Sequence, residues 1–412
     1  MTALTPAVRD RILSLPSTEL PSYIYDLTAL GEHAASVRAA LPERVELYYA
    51  AKANPEPAIL AALGSYVDGY EVSSGGELTH VAKAMPGHPL AFGGPGKTSA
   101  EITAALKQGV ERFHVESVHE LHMLGDLAGR ITPDTPVAVL PRFNLAVPDG
   151  SLAGSSLTMG GRPTPFGLDP CQADTVIRLL TDDTYPQLEP RGIHAHLASG
   201  LEAPEQLAVA ASVVTWAEEL AGRHGIRLAE VNIGGGMNVD YTRPTRRFDW
   251  VAYGAGLARL ADRHPGLTLR IEPGRALTAY CGWYTTEVLD IKHSHGEEFA
   301  VVHGGTHHLR TPATKGHDQP CSVLPVQHWP HPWPRPRARH DRITLTGQLC
   351  TPKDVLARDI PAAGLRAGDR VAFSLAGAYA WNISHHDFLM HPQPGFHFMN
   401  TGPAPEAERN VS

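Results

Sequence analysis

Eight short apolar runs, at about 46–51, 67–72, 89–93, 111–115, 136–143, 192–197, 228–233 and 268–272, recur through the first two-thirds of the chain. Short apolar runs bounded by turn residues read as strands buried on both faces, the habit of parallel sheets. Between them lie stretches with helical spacing of apolar residues, such as Pro57–Leu63, Ala100–Lys107 and Glu205–Leu220. These would pack one face against the sheet. Eight strands alternating with helices is the count of a (β/α)8 TIM barrel, an α/β fold. A doubly wound open sheet shares the alternation, but it ordinarily carries a glycine-rich phosphate turn after its first strand. In this chain the run Glu46-Leu-Tyr-Tyr-Ala-Ala-Lys52 ends in a lysine, and the triplet Gly234-Gly-Gly236 comes late.

Past Glu272 the texture changes. Strand-like runs at Trp283–Ile291, Phe299–Val302, Arg342–Thr346 and Arg370–Leu375 follow with little helix between them, which predicts a second, all-β domain. Residues 316–340 contain His-Trp-Pro-His-Pro-Trp-Pro-Arg-Pro and read as a long surface loop. At the start, a proline-punctuated stretch over 1–22 leads into a short strand at Tyr23–Asp26, and the tail after Asn400 is expected to fray.

The length of 412 residues suits two domains. A net charge of −8 with basic residues spread along the chain offers no stripe for a nucleic-acid backbone. Cys171, Cys281, Cys321 and Cys350 are far apart, so neither a disulfide framework nor a zinc finger is indicated, and a cytoplasmic setting fits. Arg9, Asp10 and Arg11 stand where a signal peptide needs apolar residues, and no apolar run is long enough to span a bilayer. Export and membrane insertion are not expected.

Barrel active sites are built at the C-terminal ends of the strands. The residues there are Lys52, Glu71, Arg142, His196, Ser199, Gly234, Gly235, Gly236, Glu272 and Arg275. A single lysine at a strand end ordinarily only meets water, and a glycine triplet alone is more often a turn than an anion site. Position raises both: the triplet follows the seventh run, and barrel phosphate sites favour the last two loops. Glu272-Pro-Gly-Arg275 closes the eighth run with an acid and a base. Facing a pyridine nitrogen, such a carboxylate would keep it protonated, while the arginine would pair with a phosphate. Together these are the parts of a pyridoxal 5'-phosphate (PLP) site.

The motifs Lys52-Ala-Asn54, Gly69-Tyr-Glu-Val-Ser-Ser-Gly-Gly-Glu-Leu78, Gly192-Ile-His-Ala-His-Leu-Ala-Ser-Gly200, Gly234–Gly236, Glu272–Arg275, Cys350 and Gly377-Ala-Tyr379 span nearly the whole chain. In order and spacing they resemble the fold-type III PLP-dependent decarboxylases of the diaminopimelate and ornithine group. The resemblance implies a PLP-binding (β/α)8 barrel over 26–275 and a β-barrel domain over 276–412, completed by residues 1–25. It implies that Lys52 forms the Schiff base with PLP and that His196 stacks on its ring. Ser199 and the three glycines would hold the phosphate with help from Arg275 and Tyr379, and Glu272 would pair with the ring nitrogen. Glu71 stands where the family usually has an aspartate. Cys350 would donate the proton that replaces the carboxylate, and Arg142, Arg310, Thr351 and Asp354 would contact substrate. The family works as homodimers, with Cys350, Thr351 and Asp354 reaching the partner's active site.

Departures from the family pattern concern the substrate. The diaminopimelate and ornithine enzymes follow the cysteine with an acid that pairs with the substrate's distal amine, and this chain has Thr351. Ala198 replaces a glycine before the phosphate serine, and Pro165 replaces a basic residue before Phe-Gly. Met159-Gly-Gly161, Cys350-Thr-Pro352 and the ending Ala380–Leu389 are similar to enzymes acting on conjugated amino acids, most of all the siderophore branch that decarboxylates citryl-diaminopropionate. A decarboxylase of free diaminopimelate or a basic amino acid is the alternative. A non-catalytic PLP-binding protein is another, against which Cys350 argues, and racemases of this fold lack the Cys350 motif. The pairs His307-His308 and His385-His386 point to substrate hydrogen bonding or structure rather than metal, because adjacent strand residues face opposite ways.

Overall fold

A computed structural model of the protein describes residues 4–146, 157–158 and 160–401. They form two compact units, His33–Val239 with Arg246–Leu277, and Met1–Glu32 with Asp240–Thr245 and Thr278–Ser412.

In the first unit nine parallel strands lie in the order Leu188–Pro190, Val137–Pro141, Arg112–Val115, Leu90–Phe92, Gly69–Val72, Val45–Ala50, Thr268–Ile271, Glu230–Asn232 and Gly192–His194. Each of the eight runs holds one of them. The sheet closes where Arg142 bridges His194 in parallel and Phe143 N donates to His194 O (3.0 Å). The ninth strand, Leu188–Pro190, pairs only with Val137–Val139. Three residues ending in proline carry no periodic signal, so the eight-strand count passes over it. The strands are buried on both faces, and Tyr48, Tyr49, Tyr70, Phe92 and Phe113 are almost wholly enclosed. Capped helices cover the outside. Before Ser99–Lys107, for example, Thr98 and Glu101 exchange backbone and side-chain hydrogen bonds in a capping box.

In the second unit the long strand Gly282–Ser294 organises a mixed sheet. Its first half pairs antiparallel with Ser22–Asp26 and Arg370–Phe373, and its second half, beyond a bulge at Val288/Asp290, with Glu297–Val302. A bulge bends and twists a strand, which lets one strand serve two sheet directions. Arg342–Thr346 and Val355–Pro361 continue the sheet, and Gly395–Met399 lies parallel to Ser22–Asp26.

Two features differ from the sequence expectation. The helix Pro6–Ser14 precedes the first strand, with Thr5 as N-cap and proline in its first turn. Residues 316–340 are not all loop, because Cys321–Leu324 pairs antiparallel with Arg370–Phe373. Four residues next to a proline-dense stretch are too few for a pattern to show. The prolines that follow are pinned by Arg335, whose guanidinium donates to Val326 O (2.7 Å) and Asp369 Oδ1 (3.1 Å). Of the tail expected to fray after Asn400, Thr401 is held by its N–H donating to Thr28 Oγ1 (2.9 Å) and the rest lies outside the described residues, as does Met159 of the Met159-Gly-Gly161 motif.

Candidate active site

Lys52 follows the strand Val45–Ala50 in a single 3-10 turn, Ala51–Ala53. Its Nζ donates to Glu71 Oε2 (2.6 Å) and Ser73 Oγ (3.2 Å), and Ser73 Oγ donates to Glu71 Oε1 (2.8 Å). Glu71 is buried while the lysine side chain is 45% exposed, so the amine stands at the open end of the barrel on a fixed carboxylate.

Glu272, just past the strand Thr268–Ile271, is buried. Its Oε1 accepts from Asn232 Nδ2 (2.6 Å), while His114 Nε2 and His194 Nε2 lie 3.8 and 3.7 Å from its two oxygens. Burial, and then the charge of Glu71, push its pKa up to about 7. Burial holds both histidines far below the usual imidazole range, so they flank Glu272 as neutral rings. Among the described residues, no hydrogen bond reaches either ring nitrogen of His194, or Nδ1 of His114.

The turn after Glu230–Asn232 is tightly built. Gly234 and Gly236 have φ of 68° and 97°, conformations that favour glycine. A Cβ on Gly234 would lie 2.7 Å from His196, one on Gly235 2.4 Å from Glu272 O, and one on Gly236 2.1 Å from Ala198 O. Gly235 N donates to His196 Nδ1 (3.2 Å), which leaves the ring proton on Nε2. Burial, with the nearby charges of Arg142 and Lys52, lowers the His196 pKa to about 3. Ser199 lies in the short strand Ala198–Ser199, and Arg275 opens the turn of helix Arg275–Thr278.

Arg142 is committed to a partner. Its Nη1 donates to Glu116 Oε1 (2.7 Å), the other Glu116 oxygen accepts from Gly167 N (3.0 Å), and the guanidinium lies 5.0 Å from the Phe166 ring. Beside it Lys97 Nζ gives all three donors to Glu120 Oε1 (2.6 Å), Gly94 O and His114 O (2.8 Å each). This buried network fixes the loops around the site.

The β unit carries the remaining candidates. Cys350 is exposed. Asp354 is buried and turned into its own loop, accepting from Thr306 N (2.6 Å) and Leu349 N (2.8 Å). It therefore shapes the segment that presents Cys350 and Thr351. Tyr379 has φ 48°, and its carbonyl accepts from Thr311 Oγ1 (2.6 Å). Arg310 is exposed at the N-cap of Thr311–Lys315. His307 is fully buried with no hydrogen bond at either ring nitrogen among the described residues, 5.0 Å from the His391 ring, whereas His308 bonds Tyr284 Oη (3.1 Å) and Pro392 O (3.0 Å).

The family described as "Pyridoxal-dependent decarboxylase, pyridoxal binding domain" matches residues 27–279. The chain belongs to this decarboxylase family. It is 37% identical over 380 residues to the 2-[(L-alanin-3-ylcarbamoyl)methyl]-2-hydroxybutanedioate decarboxylase of Staphylococcus aureus, covering 92% of this chain and 93% of that one. It is 31% identical to the L-glutamyl-[BtrI acyl-carrier protein] decarboxylase of Niallia circulans, covering 91% and 88%. Among solved structures, diaminopimelate decarboxylase from Helicobacter pylori complexed with L-lysine superposes with a TM-score of 0.77 at 24% identity, covering 92% and 90%. The protein is a PLP-dependent decarboxylase, a lyase of the fold-type III architecture.

The decarboxylase's barrel fits its cofactor. Ring nitrogens of His114 and His194 lie buried without partners among the described residues beside the buried acid Glu272, a polar lining that suits a polar ring, and the Gly234–Gly236 turn beside it is packed against His196 and the carbonyls of Glu272 and Ala198. Ser73, His114, His194, Asn232 and Glu116 were not singled out from sequence. A signal existed for three of them: His114, His194 and Asn232 are polar residues inside apolar barrel strands, where they must find partners or a ligand.

Proposed function

We propose that the decarboxylase removes the α-carboxylate of an amino-acid conjugate whose distal part is anionic or neutral, a citryl-diaminopropionate-like substrate of siderophore assembly. Bound PLP supplies the electron sink for the pair released as the bond between Cα and the carboxylate breaks. Lys52 anchors the cofactor, with Glu71 and Ser73 holding its amine in place. Neutral His196 packs on the ring face, Ser199, Gly234–Gly236, Arg275 and Tyr379 bind the phosphate, and Glu272 holds the proton at the ring nitrogen. The Cys350 thiol delivers a proton to Cα. A cytoplasmic homodimer in which Cys350 and Thr351 serve the partner's site is part of this reading.

The observation that carries the substrate is 37% identity across 92% of the chain to an enzyme named for a citrate-linked amino acid. The residues support it. Thr351 offers a hydroxyl where the diamino-acid enzymes have an acid, and Asp354 spends its carboxylate on backbone N–H groups. A desolvated ammonium without its carboxylate loses roughly 3–5 kcal/mol. Exposed Arg310 instead offers a fork that pairs well with a carboxylate. The test is kcat/KM for citryl-diaminopropionate, meso-diaminopimelate, ornithine, lysine and a carrier-bound glutamate, in wild type and Arg310→Ala. The conjugate should lead by at least 100-fold, and Arg310→Ala should cost it tenfold or more. A free diamino acid as best substrate, with its rank unchanged in Arg310→Ala, overturns the reading.

A further inference from the structure

Away from the candidate active site, three metal-ligating side chains of the β unit converge on one spot. His293 and Glu298 are directly paired across the hairpin formed by Gly282–Ser294 and Glu297–Val302, so their side chains share a face. His340 approaches from the segment leading into Arg342–Thr346. One ligand atom from each of the three lies within 4.8 Å of the other two.

Glu298 is the fixed member. It is 4% exposed, and its carboxylate accepts from Arg339 N at both oxygens (3.1 and 2.9 Å) and from His340 N (2.9 Å). Those bonds orient the oxygens as outer-shell donors orient a ligating carboxylate, while leaving lone pairs for an ion. The two imidazoles are the adjustable members. Both are exposed, their centroids are 5.5 Å apart at 81°, and neither ring hydrogen-bonds to another described residue. Ligand atoms around a tetrahedral Zn²⁺ bonded at about 2.0–2.2 Å stand about 3.4 Å apart. Small rotations of two solvent-facing rings close that difference.

We propose that His293, Glu298 and His340 form a binding site for a first-row divalent transition ion of the Zn²⁺ class, with water completing the coordination. Two imidazoles and one carboxylate suit Zn²⁺, Ni²⁺ or Co²⁺ and not the oxygen-seeking Mg²⁺ or Ca²⁺. The ion would clip the hairpin to the end of the proline-rich segment. Since it binds the folded unit, it raises stability in proportion to the logarithm of its concentration. This inference is independent of the substrate reading.

The test uses the PLP-loaded enzyme, stripped of metals with a chelator and titrated with ZnCl2 by calorimetry and thermal denaturation. Wild type, His293→Ala and His340→Ala are compared so that ions on Cys350 or on the cofactor cancel. Wild type should take up one additional Zn²⁺ per chain relative to either variant, with a rise in Tm of several degrees that MgCl2 does not reproduce. Each variant should bind that ion at least tenfold more weakly, while retaining wild-type visible absorbance and decarboxylation as proof of folding. Equal Zn²⁺ stoichiometry and Tm shift in wild type and both variants overturn the proposal.

Discussion

Buried among His114, His194 and Asn232, Glu272 has its pKa pushed up to about 7 by the loss of water and by the charge of Glu71. An acid whose pKa lies above its unfolded value binds its proton more tightly when folded. Its contribution to stability is therefore full below the unfolded value, near 4.5, and is lost as pH rises through about 7. The difference amounts to on the order of 3 kcal/mol, from burial and the charge of Glu71 together, in the cofactor-free protein at pH 8. Glu272→Gln keeps an oxygen for Asn232 and removes that cost. In cofactor-free protein the variant should gain several degrees of Tm at pH 8 and little at pH 5; equal shifts at both would contradict the buried charge. With PLP bound, turnover should fall on the order of 100-fold, because the amide cannot hold the ring-nitrogen proton. Glu272 was legible in sequence because it ends an apolar run beside Pro-Gly-Arg. The histidines around it lie inside such runs, and only the strand's inward alternation shows where they point.

The Gly234–Gly236 turn and the Asp354 loop show how an element is fixed by contacts that a local pattern cannot display. Gly235 has no unusual φ, and its constraint is proximity, since its missing Cβ would meet the Glu272 carbonyl at 2.4 Å. Gly266, in the turn before Thr268–Ile271, has open space around the same position. Gly235→Ala must move the Glu272 backbone, at a cost of about 1–3 kcal/mol. It should weaken PLP binding at least tenfold in an absorbance titration. Gly266→Ala should leave affinity unchanged and stability equal or slightly higher. A Gly235→Ala enzyme with wild-type affinity would remove the turn from the cofactor site. In sequence the triplet stands out while its reason does not, because the carbonyl it must avoid is about 37 residues away along the chain. Asp354 illustrates the converse. Its place beside Cys350 suggests substrate contact, yet its oxygens are bonded to Thr306 N and Leu349 N, and no spacing rule foretells that.

At the scale of the molecule, the β unit is assembled from both ends of the chain. The parallel-strand rhythm made the barrel unit readable without a structure, since buried strands on a closed sheet repeat the same apolar signature. The β unit is less legible, because its strands are short, half exposed and paired at long range. Its first helix, Pro6–Ser14, has weak apolar periodicity and shows itself only through its cap and proline. Yet Val8, Ile12, Leu15, Leu20 and Ile24 form one buried cluster with Trp283, Leu324 and Ala372. The carbonyls of Ile12 and Leu15 accept from the buried guanidinium of Arg370. Burying a side chain of this size stabilises by about 1.5–3 kcal/mol, so the four that lie within residues 1–21, Val8, Ile12, Leu15 and Leu20, contribute about 6–12 kcal/mol, comparable to the whole stability of a domain. Deleting residues 1–21 also strips Arg370 of two acceptors and leaves its charge in the gap. That truncation should abolish the soluble folded protein. The milder Ile12→Ala should cost about 2–5 kcal/mol in denaturant unfolding of the β unit. Exposed Arg9 on the same helix supplies the control, and Arg9→Ala should stay within about 0.5 kcal/mol of wild type. A truncated chain that remained folded and cooperative would mean that the first helix decorates the β unit instead of completing its core.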